Sequence, residues 1–199
     1  MDHGHGESSS QQSTNGPTIS RAVAKDVVTV SSFRSDFSKW FARFALDAHG
    51  TAMTPRAWQE DLSEDDAPRS RLIRIPTGYG KTLGVLGAWI YNRVERNDDR
   101  WPRRLIWTLP MRVLVEQTAD EVRKCLERLG LLWQPGTDHR GKVGVHLLMG
   151  GVDQGGEWNL YPEENAVFIA TQDMVLSRAL NRGYAAPRSR ALDRDLTRD

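Results

Sequence analysis

The sequence predicts an α/β domain of three layers, a parallel sheet between two layers of helices, with a helical extension at its N-terminal side. Three observations predict it. Short apolar runs alternate with helical runs from Arg71 onward. A glycine-rich turn, PTGYGKT (76–82), joins the first apolar run to the first helical one. Before it, Phe33, Phe37, Trp40, Phe41 and Phe44 recur at steps of three and four. Alternation of this kind favours βαβ units, in which parallel strands are buried on both faces.

Composition bounds the answer. The 199 residues are 39% hydrophobic and 27% charged, with a formal net charge of +1. That is enough chain for one α/β domain with a core. No global basic field marks a nucleic-acid binder, so any such site must be built from local arginines. The single cysteine, Cys125, rules out an intramolecular disulfide and suits a reducing cytoplasm. No run approaches the roughly 20 apolar residues of a membrane span, so no membrane partner is expected and a cytoplasmic location is.

Taken in order, residues 1–20 are Ser-, Gln- and Gly-rich and are expected to be disordered, with His3 and His5 on a solvated tail. Residues 21–70 form the helical extension. An amphipathic helix starts at Ser32, and a second short one after Thr54-Pro55, with Thr54 as cap. SEDDAPRS (63–70) is a polar linker. Residues 71–190 form the main domain. Its strands are expected at 71–75, 104–109, 143–148 and 167–170, and its helices at 81–96, 111–129 and 172–181, the last two stopped by Gly130 and Gly183. Residues 191–199 are an unstructured tail. His49, His139 and His146 are scattered and read as structural or exposed. Cys125 sits at core spacing, and Trp89, Trp101 and Trp107 read as packing residues.

The turn at 76–82 carries chemistry. A triphosphate needs several amide N–H groups converging on it at a helix N-terminus. Gly78 and Gly80 give the backbone the freedom to turn tightly and approach closely. Thr77 and Tyr79 complete the loop, Lys81 reaches the β- and γ-phosphates, and the Thr82 hydroxyl ligates Mg²⁺. The longest form of the phosphate-loop pattern asks for glycine where this chain has Ile75. The cofactors expected are ATP and Mg²⁺.

Four segments in order resemble the first motor domain of a superfamily 2 helicase. TPRAWQEDL (54–62) places Gln59 where that family has an adenine-reading glutamine. LPMRVLVEQT (109–118) places Arg112 where an arginine meets a nucleic-acid phosphate, and IATQDMVLSRALNRGY (169–184) places Thr171 against the strand's backbone. Taken alone, each has a plainer reading: a surface glutamine, a first-turn arginine, a helix cap. PTGYGKT, LPMRVLVEQT, HLLMGG (146–151) and TQDMVLSRALNRGY together resemble the helicase of type I CRISPR systems over residues 54 to 190. That resemblance implies a RecA-like fold and an ATP-driven motor on single-stranded DNA exposed by a CRISPR guide-RNA effector complex.

A motor of this kind also needs an apolar strand ending in Asp-Glu to hold Mg²⁺ through water and to orient the attacking water. Asp120-Glu121 falls inside a predicted helix and Asp65-Asp66 in the polar linker. The expectation is therefore a truncated or frame-shifted first motor domain with little activity alone. Two alternatives stay open: another RNA or DNA translocase of the superfamily, and a non-catalytic module binding nucleotide or a partner.

Overall fold

The computed structural model describes residue 1, residues 19–150 and residues 161–180, with side chains from Ser32 onward within the first long segment. Residues 2–18 of the expected lead-in, residues 151–160, the stop at Gly183 and the tail lie outside the described residues, and the last two residues of that lead-in, Ile19 and Ser20, are helical. Helix α1 runs Ile19–Phe44, α2 Ala57–Ser63 and α3 Lys81–Trp89. Strand β1 spans Arg104–Leu109, α4 Arg112–Arg128, β2 Val143–Leu148, β3 Asn165–Thr171 and α5 Gln172–Ala179. No described helix is long and apolar enough to cross a membrane.

The three strands are all parallel, in the order β1-β3-β2. Register sorts the side chains into two faces, because successive residues of a strand point to opposite sides. Leu105, Trp107 and Leu109 align with Val167, Ile169 and Thr171 on one face. Val143, Leu147, Val167 and Ile169 join α1, α3 and α4 there in the main core. On the other face Leu148, Ala166, Phe168 and Ala170 form a smaller cluster with Val175 of α5. The sheet thus has helices on both sides, as alternation of strands and helices requires.

Helix α1 begins well before Ser32. No glycine or proline falls between Thr18 and Ala48, so nothing in that stretch breaks a helix. Its Phe37, Trp40, Phe41 and Phe44 are buried. Phe37 and Trp40 pack around Tyr91 at ring-centroid distances of 5.1 and 5.2 Å. Gly87 of α3 lets the helices approach closely: a Cβ there would stand 3.1 Å from Phe44 and 3.2 Å from Phe41.

Three further expectations need correction. The apolar run Arg71–Ile75 is not a strand of this sheet. A strand needs a ladder partner as well as apolar residues, and neither sheet edge pairs with it; Leu72 is 86% exposed. Arg71 instead donates to the buried Asp65 carboxylate at 2.8 Å. The cap of α2 is Arg56 rather than Thr54. The helix expected over 81–96 forms, but Ile90–Glu95 widens to i→i+5 bonding, with the Arg96 amide donating to the Tyr91 carbonyl at 2.9 Å. Elsewhere the agreement is close. Gly130, at φ +66°, ends α4 with Gly130 N–H donating to Glu127 O and Leu131 N–H to Leu126 O.

Candidate functional site

The turn at 76–82 enters α3 as its residues require. Gly78 has φ +82° and Gly80 φ +72°, ψ +39°, the left-handed region that side-chain-bearing residues rarely adopt. Gly80 is the N-cap, and no side chain caps the helix. The first amides of α3 are therefore left without side-chain acceptors, at the end that carries the positive pole of the helix dipole. Thr77, Gly78, Tyr79 and Lys81 are exposed, and Thr82 is half-buried. Lys81 Nζ donates to the Pro76 carbonyl at 2.9 Å, so its ammonium spans the loop from end to start. This set fits a triphosphate: open glycine backbone, free amides, a bridging cation and an adjacent hydroxyl for Mg²⁺.

Gln59 lies directly beneath this loop. It is 3% exposed, and Gly80 would press a Cβ to 3.0 Å from its Nε2. Its Oε1 accepts from the Arg56 amide at 2.8 Å, and its Nε2 donates to the Gly80 carbonyl at 3.0 Å. The amide thus ties the start of α2 to the last residue of the loop. One N–H and one acceptor lone pair remain for other use.

Arg112 and Thr171 lie at the same edge of the sheet, where β1 and β3 end. Leu109 aligns with Thr171 in the β1–β3 ladder, and α4 starts three residues later at Arg112. Both therefore sit at the carboxyl edge of the sheet, where open α/β sheets bind ligands. Arg112 is exposed on the first turn of α4. Thr171 is 6% exposed and is the N-cap of α5, with no capping bond from its hydroxyl.

Two participants were not read from the sequence. The Arg56 guanidinium lies 4.5 Å from the Tyr79 ring centroid, a cation–π pair across the phosphate loop. Trp58 lies against Gly84, where a Cβ would stand 2.2 Å from its Cη2. The i, i+3 spacing from Arg56 to Gln59 was the available signal for a helix start; nothing local signalled the Tyr79 contact. Two readings of plainer residues are met. Cys125 is buried and burial pushes its thiol up to about 11. Burial, then Arg104 and Arg123, depress His146 to about 4, so it is neutral on its strand.

A family model described as DEAD/DEAH box helicase matches residues 51–192. No curated protein and no solved structure matches the chain.

Proposed function

Because the chain belongs to the DEAD/DEAH box helicase family, we propose that it is the ATP-binding first motor domain of a CRISPR-associated DNA helicase of type I systems. In this reading residues 71–190 are the motor domain, and residues 21–70 are the helical extension that carries the adenine-reading region. The partners are single-stranded DNA and the guide-RNA effector complex that exposes it. What carries the nucleotide part is the pair of left-handed glycines leading into the uncapped end of α3, bridged by Lys81. ATP supplies the phosphoryl chemistry. Lys81, which bonds the Pro76 carbonyl here, would hold the β- and γ-phosphates, and the Thr82 hydroxyl would hold Mg²⁺. Thr77 to Gly80 line the phosphate chain, and Gln59 offers its remaining donor and acceptor to adenine. Arg112 and Thr171 meet the DNA backbone at the carboxyl edge of the sheet. The CRISPR assignment rests on the likeness of PTGYGKT, LPMRVLVEQT, HLLMGG and TQDMVLSRALNRGY to that group.

One observation favours a second reading. None of the described strands ends in an acidic pair: β1 runs into Pro110, β2 into Met149-Gly150 and β3 into Gln172. That fits a nucleotide-binding module with little turnover. Titration of Mg-ATP into the chain tests the shared core. Binding is expected to fall at least tenfold in Lys81→Ala, about 1.4 kcal/mol, with little effect on the fold, because Lys81 is exposed. Affinity unchanged by that substitution sinks the nucleotide assignment. Steady hydrolysis by the chain, lost in Lys81→Ala, sinks the second reading. Comparing DNA and RNA as stimulants of hydrolysis by a full-length version separates a DNA motor from an RNA translocase.

A further inference from the structure

The loops that lead into β2 and β3 meet at the end of the sheet where those strands begin. His139 lies on the first loop, Glu163 and Glu164 on the second. His139 Nε2 stands 3.6 Å from Glu164 Oε1 and 4.0 Å from Glu163 Oε1. One donor atom from each of the three falls within 4.8 Å of the others. Two neighbouring carboxylates converge here on one imidazole, and a single histidine cannot offset both charges. Among the described residues neither carboxylate pairs with a lysine or arginine side chain.

Both loops are held in place independently of the cluster. Arg103 Nη1 donates to the Glu163 carbonyl at 2.7 Å and Arg104 Nη2 to the Pro162 carbonyl at 3.4 Å. The Glu164 amide closes a turn onto the Tyr161 carbonyl at 3.2 Å. The Tyr161 ring stacks on His139 with centroids 4.0 Å apart, fixing the plane of the imidazole. On the other loop, Trp133 Nε1 donates to the Thr137 carbonyl at 3.3 Å. Beside the cluster is a cavity of about 30 Å³, lined by His139, Glu164, His146 and Arg104 among others. It is large enough for a water molecule. Arg104 Nη1 is buried and has no hydrogen-bond partner. A buried donor of this kind calls for an acceptor, and Arg104 is among the residues that line the cavity.

We propose that His139, Glu163 and Glu164 bind one first-row divalent transition cation of the zinc class, with an oxygen ligand in the cavity accepting from Arg104. One imidazole and two carboxylates suit such an ion, whose tetrahedral donors lie about 3.4 Å apart. The widest observed spacing, within 4.8 Å, would have to close by about 1 Å. Mg²⁺ prefers six oxygens in near-octahedral geometry and is not matched by this set. The two carboxylates balance the charge of the ion, and the open fourth position is that of a site with three protein ligands. Bound metal would clip the lead-in loops of β2 and β3 together. This site is separate from the phosphate loop and does not depend on the nucleotide assignment.

The test uses the full chain, with Zn²⁺ followed by calorimetry and Co²⁺ by visible absorption. The expected result is one equivalent of either ion, d–d bands typical of low coordination for Co²⁺, and no competition from Mg²⁺. His139→Ala and Glu164→Gln should each weaken binding at least about 100-fold, the upper range for losing even an outer-shell partner. Glu163→Gln provides a third variant at a 57% exposed side chain, where folding is not at stake. A chain with both His3→Ala and His5→Ala should bind as before. The proposal is overturned if Zn²⁺ fails to bind at about 1 mM, if binding survives all three cluster substitutions, or if it disappears with the tail histidines.

Discussion

Replacing Gln59 by alanine isolates what the amide does beneath the phosphate loop. The change removes the bonds to the Arg56 amide and the Gly80 carbonyl, at 2.8 and 3.0 Å. Each is worth about 1 kcal/mol net. One buried methylene is lost as well, about 0.8 kcal/mol. Gly80 O keeps its bond from the Gly84 amide at 2.9 Å, so that carbonyl is not orphaned. The Arg56 amide loses its side-chain acceptor. The expected cost is about 3 kcal/mol, read as a shift in urea midpoint at constant slope. Gln59→Glu sharpens the experiment. A carboxylate can still accept from Arg56, but it sets an oxygen against the Gly80 oxygen. It should therefore be at least as destabilising as alanine at neutral pH and recover as the carboxyl protonates. A loss below about 1 kcal/mol for alanine would refute the account of Gln59 as a tie between α2 and the loop. Measuring ATP against GTP affinity in Gln59→Ala addresses its other role. A drop confined to ATP supports adenine reading, and an equal drop for both shows only a disturbed loop.

Gly84→Ala should cost about 1–3 kcal/mol by overpacking, since its Cβ would meet Trp58 Cη2 at 2.2 Å; Trp58→Leu in the same chain should recover part of the loss in a urea melt. His146 gives a pH dependence. Its folded value of about 4 lies below the unfolded value near 6.5, so the unfolded chain binds the proton first. The stability tied to neutral His146 is full above about pH 6.5 and drains as pH falls towards about 4, by roughly 2–3 kcal/mol at most. His146→Gln should flatten that part of the profile of urea midpoint against pH. Cys125, buried with its thiol raised to about 11, should resist alkylation in the native chain and react on unfolding.

Features set by neighbouring residues were legible in the sequence, and features set by distant partners were not. The bounds of β1 and β2 follow from apolar runs flanked by polar turns, and Gly130 stops α4 through the conformation only glycine adopts easily. The turn at Gly78 and Gly80 is equally local. Arg71–Ile75 shows the limit. Its residues favour a strand, but strand status is decided by a ladder partner elsewhere in the chain, and none of the described strands takes it. The two bonds of Gln59 show another limit. Its position before the loop was readable, but its burial depends on α2 lying against α3. The cluster of His139 with Glu163 and Glu164 joins loops that are 24 or more positions apart, and parallel pairing of β2 with β3 brings them together.

The wide turn at Ile90–Glu95 connects these observations. Its Asn92 is fully buried and donates from Nδ2 to the Ser63 carbonyl at 2.8 Å, the last residue of α2. Helix α2 is therefore pinned to the α3 unit at both ends, by Gln59 to Gly80 at one and by Asn92 to Ser63 at the other. Arg34 of α1 bonds Asp61 within α2 and Glu64 at its C-cap, and α1 packs its aromatic face on Tyr91 in the same wide turn. Regular α bonding through Ile90–Glu95 would turn Asn92 by tens of degrees about the helix axis, away from Ser63. The i→i+5 geometry thus sets the spacing between the two pins. Gln59 is thus the link from the loop to α2, while the second pin at Asn92, which does not touch the loop, holds the other end of α2 to the α3 unit.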